Sequence, residues 1–127
     1  MSFSPPNAVV WSEIPVTDME KAMAFYAAVF DYDMKLDESG PNPQAMFPAR
    51  DGATKGAHGH LYPGKPAPAG TGPTLHLAVP GKLEDAMARF DAAGGKVVSP
   101  PIAIPPGRFA YGLDPDGNSI GLFEPAS

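Results

Sequence analysis

The chain has 127 residues, 43% apolar and 18% charged, with 9 basic and 14 acidic side chains and a formal net charge of −5. That length suits one domain with a real core, and that apolar fraction separates it from disordered chains. The acidic balance excludes a nucleic-acid binder built on clustered Lys and Arg, and the lack of cysteine excludes disulfides, thiolate nucleophiles and Cys-ligated metals.

Taken in chain order, residues 8–14 read as a strand. A capping box, Thr17-x-x-Glu20, then opens a helix with Met19, Ala22, Met23, Tyr26 and Phe30 at helical spacing. Strands are predicted near 32–37, 43–48 and 56–62. Residues 63–73 hold four Pro and three Gly and read as a stiff linker. A second strand–helix pair follows, residues 74–79 and then Leu83, Ala86, Met87 and Phe90, stopping at Gly94-Gly95. Strands are predicted near 96–99, 107–113 and 118–123, the last two joined by the turn Asp114-Pro115-Asp116-Gly117-Asn118.

The two helices repeat one another. Residues 19–28 aligned with 83–92 share five of ten identities, Glu, Ala, Met, Ala and Ala, at an offset of 64. The expected fold is therefore α+β: one domain over 1–127, with a first βαβββ module at 8–62, the linker at 63–73 and a second βαβββ module at 74–124. The sheets are expected to curve around a shared cleft. With no apolar run near about 18 residues and no signal peptide, a cytoplasmic protein with no membrane partner is expected.

That order, with Glu13-Ile14-Pro15-Val16-Thr17-Asp18-Met19-Glu20-Lys21-Ala22 leading to Phe25-Tyr26, and Gly107-Arg108-Phe109 leading to Asp114-Pro115-Asp116-Gly117-Asn118, resembles the vicinal oxygen chelate superfamily. This group includes glyoxalase I, extradiol dioxygenases and bleomycin-resistance proteins, and the likeness runs from about Ala8 to Glu124. The nearest similarity is to bacterial proteins related to lactoylglutathione lyase. The resemblance implies a homodimer. It also implies metal ligands on the first and last strands of each module, at positions that fall here on Trp11, Thr74 and Gly121 and on or near His60. Trp and Gly offer no side-chain ligand and a neutral Thr hydroxyl is a poor one, so no metal and no other cofactor is expected.

Side chains two apart on a strand share a face. Glu13 therefore joins Trp11, His76 joins Thr74, and His58 joins His60, which puts all three histidines around one cavity. Glu13, His60 and His76 are the candidate acid/base residues. Trp11, Thr74, Phe109, Tyr111, Gly121 and Phe123 are the candidate ligand-binding residues, with Gly121 leaving room for ligand bulk. The plainer alternative makes His76 a hydrogen-bonded core residue and His58-Gly59-His60 a solvated strand end. Arg108 reads either as a carboxylate or phosphate contact or as a surface residue.

Three functions stay open. The first is metal-independent binding of a small, partly apolar metabolite. The second is a metal-dependent lyase, isomerase or dioxygenase using His58, His60, His76 and Glu13 in a shifted arrangement. The third is antibiotic sequestration, with the acidic balance suiting a cationic drug.

Overall fold

The first strand, β1 (Trp11–Val16), buries alternate side chains: Ile14 and Val16 turn inward while Trp11 and Glu13 stay exposed. Residues 8–10, expected to belong to it, lie outside the strand. Helix α1 (Met19–Phe30) follows, burying Ala22, Phe25, Tyr26, Val29 and Phe30. Its cap is Asp18, which accepts from the Lys21 N–H, and not the predicted Thr17. Thr17 is drawn away by the distant Asp116 carboxylate, which takes both its hydroxyl and its N–H. Strands β2 (Lys35–Asp37), β3 (Gln44–Met46) and β4 (His58–Pro63) complete a four-stranded sheet in the order β1-β4-β3-β2. The computed structural model describes residues 2–50 and 57–126, so the expected start of β4 at residue 56 lies outside the described residues.

The second half opens with β5 (Leu75–Ala78) and α2 (Leu83–Ala92), whose first residue stands 64 positions after that of α1. Gly94, at φ +109°, takes the left-handed turn that ends α2. No side chain of its own caps α2. Instead the Leu83 N–H donates to the Glu124 carboxylate at 2.7 Å, and Arg108 bridges Glu124 and Glu84. The Arg108 guanidinium holds the Glu84 carboxyl down at about 2, so Arg108 is a structural clamp for the helix start.

After α2 come β6 (Lys96–Val97), β7 (Ile102–Ile104), β8 (Gly107–Leu113) and β9 (Ser119–Pro125). Both β6 and β7 pair the same side of β8, so the single strand expected at 96–99 is one edge strand in two pieces. Pro100 and Pro101 fall in the gap and have no N–H to give to β8, while the Tyr111 N–H turns to the Ser99 hydroxyl. The second sheet runs β5-β9-β8-β6.

The helices of the two halves pack together, and a polar network ties the ends. The buried Tyr26 hydroxyl donates to Asp114 at 2.7 Å. Asp114 also accepts from the backbone N–H groups of Asp116 and Asn118 and from the Asn118 amide. The same amide donates to the Pro15 carbonyl. Burial, then the Asp114 charge, pushes the Tyr26 hydroxyl well above its ordinary range, which keeps it a donor. Met19, Met23 and Met87 rest against the common core.

Candidate ligand site at the seam between the sheets

β1 and β5 are the edge strands of their sheets, and the space where those edges meet holds two adjoining cavities. Pro15 sits within β1 without breaking a ladder because an edge strand needs no donor on its open side. The first cavity, about 300 Å³, is lined by Trp11, Ser12, Glu13, Ile14, Leu75, Asn118, Ser119 and Ile120, with residues of the linker. The second, about 480 Å³, is lined by Ser12, Tyr32, Phe47, His58, Thr74 and His76, among others. Val9, Ser12 and Leu75 border both.

On the first sheet, parallel pairing of β1 with β4 sets Trp11 beside His58 and Glu13 beside His60. The Trp11 indole N–H donates to His60 Nδ1 at 3.0 Å, and His60 Nε2 lies 3.3 Å from a Glu13 carboxylate oxygen. An indole can only donate, so Nδ1 carries no proton and the ring proton sits on Nε2, facing Glu13. Both His60 nitrogens are thus engaged, with the ring 3% exposed, while the Glu13 side chain is 64% exposed. What this arrangement offers a ligand is a positioned carboxylate and an indole face. His58 stands edge-on to Trp11 and its Nε2 bonds the Phe47 carbonyl.

On the second sheet, His76 lies against Phe109, Tyr111 and Phe123, with ring centroids 4.9, 5.9 and 6.2 Å away. Its cross-strand partner is Gly121, and a Cβ added there would meet the His76 ring. The room that Gly121 leaves is therefore filled by His76, not held open for a ligand as expected. Burial lowers the His76 pKa, so its imidazole is neutral at neutral pH. Phe109 is buried beneath the ring, and Tyr111 is exposed beside it. The Thr74 hydroxyl is 2.5 Å from that of Ser119.

The expectation that all three histidines line one cavity is corrected. His58 and His76 border the second cavity, whereas His60 lies behind Trp11 and Glu13 and borders neither. The sequence reading also did not single out Ser12, which borders both cavities. Because β1 is an edge strand, both of its faces meet the seam, and Pro15 was the signal in the chain that could have revealed this.

The metal positions implied by the resemblance do not fit an ion. Trp11 presents an N–H, Gly121 has no side chain, the Thr74 hydroxyl is bound to Ser119, and both His60 nitrogens are taken. Among the described residues, no three His, Asp or Glu side chains cluster as metal ligands would. Among the described residues, too, no helix is long and apolar enough to cross a membrane.

Curated relatives from Mycobacterium bovis and Mycobacterium tuberculosis, provisionally named glyoxylase CFP32, are 31% identical over 126 residues, covering 94% of this chain. The chain spans 45% of their length. Among solved structures, a glyoxalase/bleomycin resistance protein from Albidiferax ferrireducens T118 superimposes with a TM-score of 0.71. It is 21% identical, over 94% of this chain and 100% of that one. TnmS3, an antibiotic binding protein from Streptomyces sp. CB03234, is 29% identical with a TM-score of 0.60, covering 99% of both chains. The sequence profile of the Glyoxalase/Bleomycin resistance protein/Dioxygenase superfamily matches residues 8–122, and the chain belongs to that family.

Proposed function

We propose that this chain is a metal-independent, small-molecule-binding member of its family, holding a small, partly apolar metabolite or antibiotic at the seam between β1 and β5. The observation that carries this reading is the Trp11–His60 hydrogen bond, with Glu13 on the far nitrogen. It engages two of the positions where the resemblance puts metal ligands and leaves a carboxylate and an aromatic wall facing the seam. On the second sheet Phe109, Tyr111 and Phe123 pack around His76 and border neither cavity, so their part is to hold the His76 ring at the edge of the second one. The likeness to an antibiotic binding protein supports a binder. The homodimer implied by the resemblance is proposed with it, to be checked by sedimentation.

The test uses protein purified without a His tag, analysed for metal and then screened against aromatic metabolites and antibiotics by thermal shift, since a bound ligand raises apparent stability. The expected result is substoichiometric metal, no response to a chelator, and ligands that both raise the melting temperature and quench Trp11, the single tryptophan. A stoichiometric divalent ion whose removal lowers the melting temperature overturns the proposal.

His76 favours a second reading, in which the bound molecule is turned over. A neutral imidazole bordering the second cavity is a competent proton acceptor. On this reading His76→Gln binds ligand normally and forms no product by mass spectrometry.

A further inference from the structure

We propose that the ligand of the first seam cavity is an organic cation, a primary amine on an apolar, aromatic-sized body, with Glu13 as its counter-ion and Trp11 as its wall. The inference rests on the binding reading above and names its ligand class. Glu13 is the only charged residue lining that cavity among the described residues, and no basic side chain shares the space. Its neighbour His60, a neutral ring with Nδ1 accepting from Trp11, is buried behind it, so the exposed side of the carboxylate faces solvent and the cavity. The rest of the lining is mainly apolar, including Ile14, Leu75 and Ile120, with the Ser12 hydroxyl at hand.

The strand backbone adds acceptors on the same side. The Val10 carbonyl accepts from the His58 N–H of β4 and the Val16 carbonyl from Gly64 just past its end, whereas the Pro15 carbonyl accepts from the Asn118 amide across the seam. Carbonyls alternate sides along a strand, so those of Trp11 and Glu13 point with Pro15 toward the seam. An ammonium has three N–H donors and no acceptor, which matches a carboxylate, carbonyls and a hydroxyl. It is also attracted to the face of an indole. A carboxylate or phosphate ligand meets the wrong charge here. A cavity of about 300 Å³ holds a body about the size of one substituted aromatic ring.

The experiment compares three probes of similar shape by quenching of Trp11 emission: 2-phenylethylamine, N-acetyl-2-phenylethylamine and 3-phenylpropionate. Wild-type protein should bind the amine about tenfold more tightly than the neutral amide, and the acid least. Glu13→Gln should abolish the preference for the amine over the amide, and Glu13→Lys should make the acid the best of the three. Thermal melts confirm that both variants are folded. Equal binding of amine and amide by wild-type protein, retention of the amine preference by Glu13→Gln, or no response to any probe overturns the assignment. A stoichiometric metal in the purified protein overturns the binding reading instead, so the two failures are distinguishable.

Discussion

His60 on the first sheet and His76 on the second show how differently two copies of one module can use an imidazole. His60 is buried, with a donor on one nitrogen and a carboxylate near the other. His76 is exposed at one side and, among the described residues, rests on aromatic rings and on the bare backbone of Gly121. Hydrogen bonds fix the orientation of the first ring and, through it, the direction of Glu13. Ring contacts leave the second free to shift by a rotamer at small cost. One half of the seam supplies direction and charge, the other apolar area.

The comparison is broken most severely where the two halves are joined. Asp114 is buried and receives the Tyr26 hydroxyl, two backbone N–H groups and the Asn118 amide. Asp114→Ala leaves those donors without an acceptor, the Tyr26 hydroxyl among them, and should lower stability by about 3 kcal/mol in urea denaturation. If it costs nothing, the network does not hold β1 and β9 in register across the seam.

Next come two glycines that face different obstacles. An added Cβ at Gly59 would come within 2.6 Å of the Ser12 backbone carbonyl oxygen, which cannot move without disturbing the β1–β4 ladder. Gly59→Ala should cost about 2–3 kcal/mol. At Gly121 the obstacle is the His76 ring, which can swing toward solvent, so Gly121→Ala should cost less than about 1 kcal/mol. Its readout is spectroscopic: the His76 ring protons should lose the upfield shift imposed by Phe109 and Tyr111. Equal destabilisation by the two substitutions would erase the contrast between the sheets.

An effect smaller than that of Gly59→Ala is expected at Trp11. Trp11→Phe keeps an aromatic wall but removes the N–H, leaving His60 Nδ1 buried without a donor at a cost of about 1–2 kcal/mol. Nitrogen NMR of the His60 ring should show the single tautomer giving way to a mixture. A ring that keeps its Nε2 proton after the substitution would show that Glu13 alone orients it.

What the chain revealed was local. The Glu-x-Ala-Met-Ala repeat and the Asp114–Asn118 turn are short-range patterns, and α1 and α2 begin at matching positions. The readings that changed depend on partners far away in sequence. Thr17 and Asp18 are both good helix caps, and only Asp116, 99 residues on from Thr17, decides which is used. The Trp11–His60 bond spans 49 residues and follows from parallel pairing of β1 with β4, a register that face parity does not give. Parity with Thr74 and the resemblance at Gly121 turned both His76 and Gly121 toward the cleft, but it is their cross-strand pairing that lets the ring fill the glycine's space. The break at Pro100-Pro101 was visible in the chain, and its consequence for the edge strand is steric and local.

The smallest predicted effect concerns protons on His76. Its pKa is lowered in the folded protein because burial disfavours the charged ring, while in the unfolded chain it returns to its ordinary value of 6.5. Above that value both states hold a neutral ring and pH has no leverage through this group. Below it, the unfolded chain takes up a proton that the folded protein resists, so stability falls as pH drops from 6.5 toward the folded value. Partial exposure keeps this contribution small. His76→Phe, which preserves the ring among Phe109, Tyr111 and Phe123, should flatten this part of the urea-midpoint profile, whereas an unchanged slope would assign the pH dependence to other groups. At pH 8 the variant and wild type should respond alike, because there the ring is uncharged in either state and only its packing remains to be compared.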